Sequence, residues 1–223
     1  TGPSDLYATG QGGIILEYKG TEWAVMSPSG SNRYFAIWGA GGKLFVAGMD
    51  GYMQGLLAVH DGSWSAVDLG DDPPILNGLW GSGPDDVYAV GDFSTILHLK
   101  NGQWSRVELP VANPELEMLY AVHGSAADNV WVTGSHGRLI HHGSQWAVPD
   151  TYEEAFFRAI WAVDENTVYA AGSEGRVWGY HDGQWAQEDA GVPEDKKIHA
   201  LWGTAEGEIF AAGETGIIRR RLP

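Results

Sequence analysis

The chain has 223 residues, with 32 glycines, 11 tryptophans and no cysteine. It can bury one sizeable core built on tight turns and packed aromatics, and it excludes disulfides, thiolate metal sites and thiol catalysis. Its 13 basic and 29 acidic residues leave a net charge of −16; this argues against a nucleic-acid groove or an anionic membrane surface as main partner, and no apolar run of 18 residues is present to span a bilayer.

The first element with a clear pattern is Tyr7-Ala-Thr-Gly10: a bulky residue, two small or aliphatic ones, then glycine. The pattern returns at Phe45–Gly48, Tyr88–Gly91, Trp131–Gly134, Tyr169–Gly172 and Phe210–Gly213, with glycines 38 to 43 residues apart. A second marker, one tryptophan per copy, falls at Trp23, Trp64, Trp104, Trp146 and Trp185, and a third at Trp38, Trp80, His123, Trp161 and Trp202. Three markers keeping one phase define a repeat of about forty residues. Leu79–Leu109 shows one copy in full: a strand ending in Leu-Trp-Gly, then Val-Tyr-Ala-Val-Gly, Thr-Ile-Leu-His-Leu-Lys and Gln-Trp-Ser-Arg-Val-Glu-Leu. Turn residues separate the strands, and Asn101-Gly102 signals a two-residue hairpin with positive φ at both positions.

Four short strands per repeat predict an all-β fold, a β-propeller of about six four-stranded blades; part of a seven-bladed ring, or a ring completed by another copy, is the alternative. The whole of 1–223 reads as one propeller domain, with repeats near 1–34, 35–76, 77–119, 120–157, 158–198 and 199–223. Thr1–Tyr7 aligns with Ser82–Tyr88, so the chain is expected to start after a first strand and to stop after a third, with 22 strands in all. Incomplete end blades suggest a homo-oligomer. The glycine closing each second strand is expected to turn the backbone at positive φ, usually opening Gly-x-x-Gly, a hairpin turn rather than a phosphate loop.

The long connections 27–35, 70–78, 110–120, 149–158 and 189–199 repeat least, and variable loops on a repeated scaffold are where binding resides. The position three before each first-strand marker changes chemistry in every copy: Phe35, Asn77, Tyr120, Arg158 and His199. Together they suit an asymmetric polar and aromatic pocket. Tyr52, Phe93, Tyr152, Phe156 and Phe157 are expected exposed on the same face, where aromatics suit peptide or sugar contact. Phe35, Asn77, Tyr120, Arg158, His199, Tyr52 and Phe93 are thus the candidate ligand-binding residues.

Catalysis finds little support. Of Arg33, Arg106, Arg138, Arg158, Arg176 and Arg219–Arg221, Arg33 and Arg158 alone lead into inner strands, too few for a sialidase cluster. Glu115, Glu117, Glu153, Glu154, Glu194 and Asp195 supply loop acids without singling out a glycosidase pair. His141 and His142 are adjacent and face opposite sides of a strand, so they do not chelate one ion. His60, Lys100, His142 and His181 share a repeat position that strand-end packing explains. Asp68, Asp71 and Asp72 beside Pro73-Pro74 form a plain loop as readily as a calcium site. No catalytic residue, metal site or cofactor is assigned.

Trp80, Tyr88–Gly91, Ile96–His98 and Gly102–Trp104 carry a pattern that resembles the tandem propeller repeats, W-G-S-G-P-x-D-V-Y-A-V-G, of bacterial secreted and surface proteins. It also resembles, more distantly, the Asp-box-like repeats of photosystem assembly-factor propellers. The likeness spans essentially the whole chain; full Asp boxes are absent, and His60–Trp64 and His181–Trp185 keep only the Asp-Gly-x-Trp end. The resemblance implies an extracellular, cell-surface or periplasmic location. The expected function is a non-catalytic recognition or scaffold propeller that binds a protein or peptide through its long-loop face. A lectin-like, glycan-binding propeller is the alternative, and a glycosidase or calcium-dependent hydrolase comes third.

Overall fold

A computed structural model describes residues 6–27, 30–109, 117–136, 139–143, 145–148, 156–204, 207–216 and 218–221. Among them lie 22 strands in six antiparallel sheets, each open and each with its strands side by side in chain order. The chain divides into two compact units, 1–107 and 108–223.

The first unit holds three sheets. β1 (Tyr7–Thr9), β2 (Ile15–Tyr18) and β3 (Trp23–Val25) form a three-stranded one. β4 (Arg33–Ala40), β5 (Lys43–Met49), β6 (Gly55–His60) and β7 (Trp64–Ala66) form the next, and β8 (Leu76–Gly83), β9 (Asp86–Gly91), β10 (Thr95–Lys100) and β11 (Gln103–Arg106) the third. The second unit repeats the plan. Its sheets are β12 (Leu119–Ala126), β13 (Asn129–Gly134), β14 (Leu139–His142) and β15 (Trp146–Ala147); β16 (Phe157–Ala162), β17 (Thr167–Gly172), β18 (Val177–His181) and β19 (Gln184–Glu188); and β20 (Ile198–Gly203), β21 (Ile209–Gly213) and β22 (Ile218–Arg221).

Second strands are the most buried because both of their faces are covered. Phe45, Val87, Ala89, Val90, Val130, Val132 and Val168 are all fully inaccessible. The markers tie one sheet to the next. Trp104 meets Phe45 of the preceding sheet edge-on at 6.2 Å, and Trp185 meets Trp131 likewise at 5.5 Å. In these two pairs a fourth-strand tryptophan seats on the second-strand aromatic of its neighbour, while Trp64 packs instead on the Ile15, Val46 and Ala58 cluster.

First-strand markers reach across in the same way. A Cβ on Gly81 would lie 2.8 Å from the Trp38 ring, and one on Gly203 would lie 2.5 Å from Trp161 Nε1. The indole thus covers the glycine that follows the next marker. In one place that glycine is Ala162, and the marker facing it is His123 rather than tryptophan. The smaller imidazole stacks on Trp161 at 4.0 Å, and its Nδ1 accepts the Ala162 amide at 3.0 Å.

Asn101 and Gly102 have φ of 52° and 76°, as a type I′ hairpin requires. The glycines ending the second strands depart from expectation. Gly48, Gly91, Gly134, Gly172 and Gly213 do not have positive φ. They are required by a close approach at the neighbouring first strand.

Candidate functional site

That approach builds the site. In all five complete first strands the pairing with the second strand slips by one residue, between Tyr34 and Ala36, Leu76 and Gly78, Leu119 and Ala121, Phe157 and Ala159, and Ile198 and Ala200. The residue stepped over is Phe35, Asn77, Tyr120, Arg158 or His199. These five are β-bulge residues. A bulge leaves one residue out of the ladder and re-aims its side chain, which frees this position from the repeat's core chemistry.

The bulges are held by a recurring clasp. Just before them, the carbonyls of Ile75, Met118, Phe156 and Lys197 accept amides from Asp92, Ser135, Ser173 and Glu214 at 2.8–3.0 Å. Each of those donors directly follows a repeat glycine. The carbonyl passes over the glycine so closely that a Cβ would stand 2.0 Å from it at Gly91, 2.6 Å at Gly134, 1.7 Å at Gly172 and 2.1 Å at Gly213. Ser135, Ser173 and Glu214 answer through their side chains, accepting the amides of Met118, Phe156 and Lys197 at 3.0–3.2 Å. At Asp92 the carboxylate instead takes the Asn77 side-chain amide at 3.1 Å. Asp92, Ser135, Ser173 and Glu214 were not singled out in the sequence, because the carbonyl that each of them meets lies far outside any local pattern.

In the second unit the bulges bring Tyr120 and Arg158 together: the guanidinium carbon lies 5.0 Å from the ring centroid. The Tyr120 hydroxyl contacts Met118 Sδ at 3.6 Å. Met118 and Phe156 are almost half exposed, and Phe156 lies 5.9 Å from the His136 ring. Beneath, the buried Glu117 carboxylate accepts from Ser135 Oγ at 3.1 Å, with His136 Nδ1 at 3.6 Å. His199 is exposed on β20. Met118 and the Glu117–Ser135–His136 group are features that sequence reasoning did not connect.

In the first unit the corresponding end exposes large aromatic and apolar side chains. Phe35 is 48% exposed, Tyr52 88%, Met53 70% and Phe93 54%. Tyr52 sits in a turn fastened by Asp50, whose carboxylate accepts the amides of Tyr52 and Gln54 at 2.8 and 3.0 Å. Phe93 has φ of +57°, a left-handed conformation costly for a bulky residue. Arg106 holds it in place by donating to its carbonyl at 3.1 Å. Gly12, His136, Glu174 and Thr215 occupy comparable left-handed turn positions. An exposed phenylalanine there is unfavourable both for its backbone and for its surface, a combination found where strain serves a function. Replacing Phe93 with Asn, which tolerates that conformation, is expected to raise stability by about 1 kcal/mol. Chemical denaturation checks this; a destabilised F93N variant would show instead that the ring packs productively.

One sequence expectation is corrected here. Phe157 is not exposed but 2% accessible, because strand alternation turns it inward, edge-on to Trp178 at 6.4 Å. Glu115, Arg138, Tyr152, Glu153 and Glu154 lie outside the described residues. Of the arginines considered, Arg176 pairs with Glu174 at 2.8 Å, while Arg106 and Arg158 are engaged as above. Glu194 lines a cleft of about 470 Å³ with Glu174, Arg176, Glu188 and Asp189.

A serine–acid–histidine array at the other end of the sheets could be mistaken for catalytic machinery. Ser82 donates to one oxygen of Asp86, and His98 Nε2 contacts the other at 2.6 Å, its ring stacked on Tyr88 at 4.0 Å. The serine addresses the carboxylate and not the imidazole, so no nucleophile–base pair is formed. The next sheet repeats the arrangement with Ser125, Asn129, His141 and Trp131, and with an amide in place of the acid. A network that accepts asparagine is a polar lock between strands. Burial lowers the His141 pKa, and the neighbouring His142 adds to this. Among the described residues no three or more histidines and carboxylates gather to hold a metal ion.

The fold is that of a β-propeller. Solved structures show it: the WD40 β-propeller domain of Doa1 matches 97% of this chain and 74% of its own, with a TM-score of 0.76 at 12% identity. The WD40 repeats of RRP9 match at 0.75 and 11%, over 97% of this chain and 72% of theirs. Streptogramin B lyase matches at 0.71 and 11%, over 99% of this chain and 83% of its own. No family model and no curated protein matches the sequence. Since the fold carries both WD40 domains and a lyase, the function has to be argued from the residues.

Proposed function

We propose that this protein is a non-catalytic recognition propeller that binds a protein or peptide through the sheet ends carrying the bulges. The observation behind this reading is the bulge series itself. Five copies of one backbone device present Phe, Asn, Tyr, Arg and His, while the packing around them stays nearly constant. A lectin with equivalent sugar sites would repeat its polar set; this chain repeats only its scaffold. Exposed aromatic and methionine side chains beside one guanidinium have the composition of a protein-binding surface. The resemblance to bacterial secreted repeats supports a location outside the cytoplasm.

Selection of a random-peptide phage library on the full chain, with a glycan array in parallel, tests the proposal. Enriched peptides whose binding is lost in Phe35→Asp and Phe93→Asp are the expected result. Glycan binding without peptide enrichment would replace this reading with the lectin-like one.

A further inference from the structure

We infer that Tyr120 and Arg158 form a carboxylate receptor, so that the partner is a peptide segment carrying a glutamate or aspartate next to an apolar residue. The inference rests on the peptide-binding reading above and specifies its chemistry in the second unit.

Arg158 lies over the Tyr120 ring and is exposed, and a guanidinium held against a ring can still offer its forked N–H donors to a carboxylate. A guanidinium already held by a ring loses less freedom when it closes on a carboxylate, and its fork matches the two carboxylate oxygens. The pair is itself preorganised. Both residues sit on clasped bulges of the adjacent strands β12 and β16, and the Tyr120 hydroxyl is fastened to Met118.

Charge distribution points the same way. The chain carries an excess of acids, and several of its described cations pair with one: Lys19 with Glu17, Lys43 with Asp85, Arg176 with Glu174, Lys196 with Asp195 and Lys197 with Glu214, while Arg106 is spent on the Phe93 carbonyl. Arg158 pairs with no carboxylate among the described residues and lies on an aromatic ring, exposed. The nearby acid Glu117 is buried and committed to Ser135 and His136, so it does not compete. Met118 and Phe156 flank the pair with exposed apolar surface, which gives a residue beside the acid somewhere to dock.

The test follows the Arg158 Nε–H signal of the ¹⁵N-labelled full chain by NMR while Ac-Leu-Glu-Leu-NH₂ is added. The glutamine counterpart and 3′-sialyllactose serve as comparison probes. The glutamate peptide is expected to shift Arg158, with at least a tenfold weaker effect from the glutamine peptide and a decline with added salt. For the Arg158 variants the reporter is the Tyr120 backbone amide: Arg158→Lys keeps the charge but not the fork and should also lose about tenfold, as should Arg158→Gln, whereas Tyr120→Phe, which keeps the ring under the guanidinium, should retain binding. If glutamate and glutamine peptides bind equally and Arg158→Gln changes neither, the carboxylate inference is overturned while peptide binding stands. If sialyllactose shifts Arg158 and neither peptide does, both readings fall.

Discussion

Replacing Gly172 with alanine is expected to destabilise the protein by about 3 kcal/mol or more, among the larger effects of a single methyl group. The added Cβ would stand 1.7 Å from the Phe156 carbonyl oxygen, inside any tolerable contact. Relief requires that carbonyl to withdraw, which breaks the hydrogen bond it accepts from the Ser173 amide and unseats the Ser173 side chain from the Phe156 amide. Arg158 is two residues further on, so its bulge loosens as well. Urea denaturation reads the loss. A second readout separates this account from a general folding defect: the Tyr120 ring-current shift on the Arg158 side chain should shrink in any folded fraction. A Gly172→Ala protein of unchanged stability would mean that the clasp is not what calls for glycine.

His123 is expected to make the protein acid-labile. Burial holds its pKa down at about 4, against 6.5 for a free imidazole. Geometry agrees, since Nδ1 accepts the Ala162 amide and a proton there would oppose that N–H. Because the folded pKa lies below the unfolded one, the unfolded chain binds more protons between pH 6.5 and 4. The stabilisation from neutral His123 is therefore complete above pH 6.5 and is lost as pH falls toward 4, by up to about 3 kcal/mol. The imidazole Cε1–H chemical shift should titrate near pH 4, and unfolding free energy should fall over the same range. The control follows from the repeat: His123→Trp with Ala162→Gly recreates the indole-over-glycine contact of the neighbouring sheets and should flatten the profile. His123→Trp alone should be destabilising, because the indole meets the Ala162 methyl. An equally steep profile in the double variant would assign the acid sensitivity to other groups.

The sequence was most informative where a constraint is local and repeated. Hairpin turns such as Asn101-Gly102, the second-strand runs and the one tryptophan per copy follow from turn chemistry, period-two patterning and aromatic burial, and each can be recognised within a few residues. The positions Phe35, Asn77, Tyr120, Arg158 and His199 also stood out, through their variability against a constant frame. Their physical nature did not. A bulge is a one-residue slip between two strands, and its clasp joins a glycine's neighbour to a carbonyl about 17 residues earlier. The same distance in sequence explains why the glycines were assigned to positive φ: the closest atom to Gly172 belongs to Phe156, which no local window contains. Phe157 was misjudged because its inward orientation depends on where β16 begins.

The sequence alone therefore determined the repeat, the all-β class and the set of unconstrained positions, since turns and alternation act over a few residues. Only the tertiary structure decided that those positions are bulges, that Tyr120 and Arg158 meet, and that His123 faces Ala162. The bulges depend on pairing between two strands of one copy, and the other two on contacts between strands from different copies; in each case steric fit between residues distant in sequence sets the geometry.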